Sequence, residues 1–284
     1  MAEHMSGDPD AESRFVRLDD GDMHVMEDGK PDTPALLLIH GTGGSTAWWD
    51  PVVPRLAGAY RVLRVDLLGH GRSASPAGGY DIPTQARRVR TALDRLGVNR
   101  VIVIGHSTGG MVGTALAEQR PDAVTALALI DTYPSLDAVI PQGLLSRLML
   151  APLPGRLLWR LRTEATIRKA MRTAFTRPID IPDAIIEGAL GMTHRVLAAT
   201  ARTPLDYLRQ RSLPARLAGL GLPVLVIFGA DDQRCLSSSA AAYQIVPDAR
   251  IELLPGVGHT PMLEDPQTTG KLLLDLAAAA GHPS

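Results

Sequence analysis

Residues 101–119 read VIVIGHSTGGMVGTALAEQ: a β-branched apolar run, a turn with glycine two places on either side of Ser107, and a helix-compatible stretch. Few folds accept that order. An apolar run without polar alternation suits a strand covered on both faces, which is the condition of strands in parallel sheets. The glycines at 105 and 109 let the backbone turn sharply from strand into helix. Similar runs recur at Ala35–Ile39, Arg61–Val65, Ala126–Ile130 and Val224–Gly229, each bounded by Gly, Pro or Asp. Helical stretches separate them, among them Thr84–Leu96, ended by Gly97, and Met111–Gln119, stopped before Pro121. Ile251–Leu254 reads as a last strand and Pro266–Ala280 as a closing helix, with Pro at its start and Gly281 past its end. Ahead of these, Phe15–Leu18 and Met23–Glu27 flank Asp-Asp-Gly, the pattern of an antiparallel hairpin. The alternation predicts an α/β protein with a mostly parallel central sheet flanked by helices.

The alternation breaks between about Tyr133 and Arg216, where strand signals give way to helical, Pro-punctuated, arginine-rich text. Helices are expected at Leu144–Leu150, Leu157–Arg162, Thr166–Phe175, Ala184–Leu190 and Val196–Thr200. An insert of this size between two halves of a sheet reads as a helical cap placed after the sixth strand. The domain boundaries expected are a disordered lead-in at 1–13, a core of 14–132 and 217–284, and a cap at 133–216.

Composition excludes several function classes. A net charge of -1 gives no overall reason to expect nucleic acid as a partner. A single cysteine, Cys235, cannot form an internal disulfide or a cysteine metal cluster. The opening MAEHMSGDPDAES lacks the basic-then-apolar order of a secretory leader, and no run approaches the ~18 apolar residues of a spanning helix. A cytoplasmic protein with no integral membrane segment is the expectation; the sequence does not fix its oligomeric state.

The turn around Ser107 carries the chemistry. It aims the serine hydroxyl and the N-terminus of the next helix at the carboxyl edge of the sheet, where open α/β sheets bind ligands. A serine becomes a nucleophile only when a base takes its proton. Of eight histidines, His259 is the candidate base: it lies in PGVGHTPMLEDP, between the last strand and the last helix, at the same sheet edge. His40 and His70 sit in Gly-rich turns, His106 in the elbow, His194 in the cap, His24 in an N-terminal strand, and His4 and His282 in the tails. The imidazole needs a carboxylate to fix its tautomer. Asp232, in GADDQ after Val224–Gly229, is the first choice; Asp231 beside it and Asp131, at the end of ALALI, are the alternatives. The backbone N–H groups of Thr108 and of Thr42, in HGTGG, are the candidate oxyanion-hole donors. Trp48, Trp49 and His106 are candidates for lining the substrate site, with core packing the competing role for the tryptophans. No metal and no cofactor is implied, and nothing resembles a nucleotide-binding loop.

Together HGTGGS at 40–45, VDLLGHGRS at 65–73, GHSTGG at 105–110, GADD at 229–232 and GVGHTPMLEDP at 256–266 resemble the α/β-hydrolase superfamily, in its capped serine esterase and C–C hydrolase branch. The motifs span almost the whole chain in the family's order of nucleophile, acid and histidine. The resemblance favours Asp232 over Asp231 and implies a bracing role for Asp66 and Arg72. It also separates this chain from dehalogenases and epoxide hydrolases of the fold, which carry aspartate where Ser107 stands.

The expected function is hydrolysis of a carboxylic ester or lactone of a small to medium apolar substrate, through a Ser-His-Asp triad and an acyl-enzyme. Three alternatives stand beside it: C–C hydrolysis of a diketone-like acid, thioester hydrolysis or acyl transfer in biosynthesis, and a non-catalytic ligand-binding relative. From Pro141 to Arg216 there are thirteen Lys/Arg against five Asp/Glu. That excess fits either the solvated outer face of the cap, the preferred reading, or attraction of an anionic substrate or acidic carrier. The stretch LLSRLMLAPLPGRLLWRLR fits an interfacial lid or, preferred again, a cap helix whose apolar side covers the site.

Overall fold

The computed structural model describes residues 11–141 and 143–281. Its first half runs β1 (Glu12–Leu18), β2 (Gly21–Asp28), β3 (Ala35–Ile39), α1 (Val53–Ala57), β4 (Arg61–Val65), α2 (Ile82–Arg95), β5 (Val101–His106), α3 (Thr108–Gln119) and β6 (Val124–Ile130). Seven helices follow: α4 (Leu144–Leu150), α5 (Pro152–Arg160), α6 (Glu164–Met171), α7 (Asp183–Gly191), α8 (His194–Thr200), α9 (Thr203–Gln210) and α10 (Leu213–Leu217). The sheet resumes with β7 (Val224–Gly229) and β8 (Arg250–Leu254), and the chain closes with α11 (Pro261–Glu264) and α12 (Pro266–Ala280).

The eight strands form one sheet in the order β1-β2-β4-β3-β5-β6-β7-β8. β1 and β2 make the expected hairpin and meet β4 antiparallel; every pairing from β4 to β8 is parallel. The mostly parallel sheet flanked by helices, with a helical insertion after the sixth strand, is therefore present. Of the expected lead-in, 1–10 fall outside the described residues, while Glu12 and Ser13 already pair with Glu27 and Met26.

Alternate side chains of the central strands feed two cores, one on each face. Leu37, Ile39, Val103 and Leu129 pack with Val89 and Leu93 of α2 and Met111 and Val112 of α3. Leu36, Leu38, Ile104 and Ala128 pack with Leu56 of α1 and Leu272, Leu273 and Leu276 of α12. That two-sided burial is why these strands read as unbroken apolar runs. In the insert, Gly155 and Trp159 of α5 turn inward, whereas Leu153, Leu157 and Leu161 point to solvent.

Candidate active site

Ser107 stands between β5 and α3 with φ of 52° and ψ of -119°. A non-glycine residue in this region is strained by about 1–3 kcal/mol. The flanking glycines explain why the turn can exist. A Cβ on Gly105 would come within 2.4 Å of the Gly110 nitrogen, and one on Gly109 within 2.1 Å of the Ile39 carbonyl oxygen. The Ser107 N–H donates to the Ile130 carbonyl at 2.8 Å, and the Thr132 hydroxyl donates to the Ser107 carbonyl at 3.1 Å. Both bonds pin the elbow to the end of β6.

The loop after β3 closes on this turn. A Cβ on Gly41 would meet the Ser107 Cβ at 3.0 Å, so any larger residue would have to push the elbow aside. Thr42 and Thr108 are joined through their hydroxyls at 2.9 Å. Thr108 is the first residue of α3, where backbone N–H groups have no partner within the helix. The two residues whose N–H groups are the candidate oxyanion-hole donors are thus in side-chain contact beside Ser107.

On the other side of the elbow, His259 is buried, and its Nδ1–H donates to Asp232 Oδ2 at 2.7 Å. Asp232 Oδ1 also accepts the Arg234 N–H at 2.7 Å. Burial opposes the Asp232 charge, but His259 and these N–H groups outweigh it and hold its carboxyl below the usual range. Asp231 is exposed and offers its carbonyl to the Thr176 hydroxyl. His259 hydrogen-bonds to Asp232 and to neither alternative.

His106 links the elbow to the histidine loop. Burial, with His259 beside it, keeps its imidazole well below the usual range and so neutral. Its Nε2–H donates to the His259 carbonyl at 2.7 Å, and the two rings lie 5.0 Å apart. Trp48 stacks on His106 at 5.6 Å; Trp49 is wholly buried in the core on that face of the sheet. Two other histidines have local partners. His40 donates from Nδ1 to the Gly41 carbonyl and accepts the Leu67 N–H, and His24 bonds Asp66 at 2.7 Å. Asp66 also accepts the N–H groups of Thr46 and Arg72, the brace that the resemblance implies.

Three neighbours of His259 were not singled out from sequence for the parts they play. Tyr133 stacks on its ring at 6.2 Å. Asp131, with a φ of 44°, brings a carboxylate oxygen within 4.8 Å of both Asp232 and His259. Glu264 accepts from the N–H groups of Thr176, Arg177 and Gly258 and from the Thr260 hydroxyl. The His259 N–H donates to the Ala174 carbonyl, so the loop is also tied to the helical insert. Asp131, Asp232 and His259 could together offer three atoms to a metal ion. His259 Nδ1 is, however, already engaged by Asp232. Burial and the Asp232 charge raise the Asp131 carboxyl well above its usual range, which makes it a poor ligand.

The insert reaches the same place. The Thr42 hydroxyl contacts the Thr200 carbonyl of α8 at 3.5 Å. Farther out, α5 and α8 enclose an open groove of about 990 Å³ lined by leucines and five arginines.

The sequence pattern of the alpha/beta hydrolase family matches residues 36–270. A protein of Stutzerimonas stutzeri provisionally named carbamate hydrolase RutD is 30% identical over 270 residues, covering 92% of this chain and 98% of its own. A hydrolase from Pseudomonas aeruginosa has a similar structure, with a TM-score of 0.76, 26% identity and coverage of 93% of this chain and 98% of that one. A provisionally named aryl esterase from Burkholderia cenocepacia shares the fold at a TM-score of 0.81, with 23% identity over 95% of this chain and 99% of its own.

Proposed function

The chain belongs to the alpha/beta hydrolase family, and from that premise we propose that it is a serine hydrolase cleaving a carboxylic ester or lactone of a small to medium apolar substrate. The observation that carries the reading is the 2.7 Å bond from His259 to Asp232, in a loop held to the strained Ser107 elbow through His106.

With Nδ1–H given to Asp232, Nε2 of His259 is the nitrogen left to act as base. It takes the Ser107 proton as Oγ attacks the substrate carbonyl. Charge then gathers on the carbonyl oxygen, where the N–H groups of Thr42 and Thr108 and the positive end of α3 meet it. The imidazolium passes its proton to the leaving group. Water, activated by the same nitrogen, releases the acyl group from Ser107. Asp232 stays ionised throughout and stabilises the imidazolium. Residues 133–216 act as a cap over this centre, with Thr200 against Thr42 and Ala174 against His259 as its attachments. We take the cytoplasm as the compartment, which the lone, buried Cys235 suits.

The test is hydrolysis of p-nitrophenyl esters of increasing acyl length, and of lactones, by the wild type and Ser107→Ala, with fluorophosphonate labelling of both. Labelling at Ser107 and loss of turnover by roughly 10³-fold or more in the variant are expected. Ester turnover that survives Ser107→Ala would overturn the proposal. Labelling of Ser107 without turnover of any ester or lactone would keep the nucleophile but move the substrate to a C–C or thioester bond.

A further inference from the structure

Ten large apolar side chains are exposed among the described residues, and five of them (Leu144, Leu148, Leu153, Leu157 and Leu161) fall within eighteen residues on α4, α5 and its end. Leu153, Leu157 and Leu161 follow each other at intervals of four, so they form one stripe along α5, opposite its buried Gly155 and Trp159. Their exposures are 80%, 62% and 68%; these side chains are not half-covered members of a core. Clustered exposed leucines on this scale are uncommon on a protein surface without a partner.

The charges around the stripe are of one sign. From 141 to 163 the sequence holds four arginines and no acid. Arg162 donates to the carbonyls of Trp159, Leu190 and Met192 and covers the Trp159 ring at 4.6 Å, so it belongs to the packing of the insert. Arg147, Arg156 and Arg160 are exposed, and their side chains have no hydrogen-bond or ion-pair partner among the described residues. The two helices are packed as a unit. Gly155 lets α5 approach so closely that a Cβ there would come within 2.2 Å of the Met149 carbonyl oxygen. His194, at the start of α8, bonds the same carbonyl at 2.9 Å.

Leucines that enter the headgroup boundary, bordered by unpaired arginines, form the surface that lies on anionic lipid. A second copy of the chain fits this face less well. In a two-fold contact the same patch meets itself, and arginine would face arginine with no acid between them. No described helix is long and apolar enough to cross a membrane, so contact here is with one leaflet. We propose that the α4–α5 face is a docking surface for an anionic lipid bilayer, with the leucine stripe set into the headgroup boundary and Arg147, Arg156 and Arg160 on the lipid phosphates. Docked in this way, the protein has the groove between α5 and α8 at the bilayer. α8 then leads from His194, beside the docked helices, to Thr200, against Thr42. The docking surface stands whichever bond the site cleaves.

The test is co-sedimentation of the full chain with phosphatidylcholine–phosphatidylglycerol vesicles and with phosphatidylcholine vesicles, at low and high salt, and it needs no turnover. Binding to the anionic vesicles, weakened by salt, is expected. Combining Arg147→Gln, Arg156→Gln and Arg160→Gln lowers the partition coefficient about fivefold per arginine. Combining Leu153→Ser, Leu157→Ser and Leu161→Ser abolishes binding to the anionic vesicles, while circular dichroism and the melting temperature stay near wild type because all three side chains are exposed. Wild-type protein that stays in the supernatant with anionic vesicles overturns the proposal. So does vesicle binding unchanged by both sets of substitutions. A dimer seen by light scattering, lost in the leucine variant and unaccompanied by vesicle binding, assigns the face to a second copy instead.

Discussion

A carboxylate oxygen of Asp131 and one of Asp232 lie within 4.8 Å of each other and of a ring nitrogen of His259, although the two acids follow different strands. Their environments push them apart. Asp232 accepts from His259 and from the Arg234 N–H and is held ionised. Asp131 accepts one bond, from the Gly229 N–H at 2.9 Å, while its Oδ2 is buried without a partner. Burial first, and the Asp232 charge second, raise its carboxyl well above the usual range. Of the pair, Asp232 is the readier carboxylate and Asp131 holds its proton the more firmly.

Asp131→Asn is therefore expected to keep kcat/KM within about threefold of wild type, because an amide oxygen accepts from Gly229 as the acid does and an amide is also neutral. Asp232→Asn removes the charge opposite His259 and disturbs its tautomer, at a cost of roughly 10³–10⁴ in kcat. Steady-state kinetics on the best p-nitrophenyl ester compare them. Equal losses in the two variants would mean that Asp131 shares the orienting role.

The same raised carboxyl gives a pH signature. Unfolded, Asp131 ionises near the ordinary value of about 3.9. Folded, it keeps its proton to higher pH. Its contribution to stability is thus full below the unfolded value and is lost as pH rises toward the folded one. Over that range wild type should lose stability relative to Asp131→Asn by up to about 1.4 kcal/mol per pH unit. Urea unfolding of both proteins from weakly acid to neutral pH measures the difference. Parallel curves would mean that Asp131 is ionised in the folded state.

The sheet was legible because its strands are covered on both sides, which leaves unbroken runs such as VIVIG. The elbow and its facing loop were legible because their glycines are required within a few residues of Ser107. Helix ends were less so. α2 begins at Ile82 rather than Thr84, since its start is fixed by the Asp81 side chain accepting the Thr84 N–H. α9 and α10 are short, eight and five residues, and tertiary bonds from Tyr207 and Arg216 to Glu118 hold them. Glu264 and the raised carboxyl of Asp131 were not legible at all. Each depends on a partner about ninety to a hundred positions away, Thr176 in one case and Asp232 in the other.

Glycine substitutions separate close approach from backbone strain. Gly109→Ala drives a Cβ to 2.1 Å from the Ile39 carbonyl oxygen, and the neighbouring atom is backbone that cannot swing aside. A loss of about 4 kcal/mol or more, or failure to fold, is expected. Gly43, unlike Gly109, has a positive φ, 77°, and nothing lies within 4 Å of its would-be Cβ. Gly43→Ala should then cost only the local strain, about 1–2 kcal/mol. Denaturant unfolding of the two variants gives both values, and a Gly43→Ala as damaging as Gly109→Ala would contradict the steric account.

Glu264 joins the histidine loop to the insert through one carboxylate. Oε2 takes the N–H groups of Thr176 and Arg177, which follow α6, and Oε1 takes the Gly258 N–H and the Thr260 hydroxyl on either side of His259. Hydrogen bonds to a charged acceptor contribute about 1.5–3 kcal/mol each, and buried N–H groups left without one are costly. Glu264→Gln turns an amide NH₂ toward one of these donor pairs, so it should destabilise the protein by about 2–4 kcal/mol. Because His259 sits between the two anchored residues, kcat should fall roughly tenfold to a hundredfold, as happens when a positioning contact is loosened. KM should move little. Thermal unfolding and steady-state kinetics of the same preparation read both effects. A variant that loses stability but keeps full kcat would show that the clamp secures the insert without setting the position of His259.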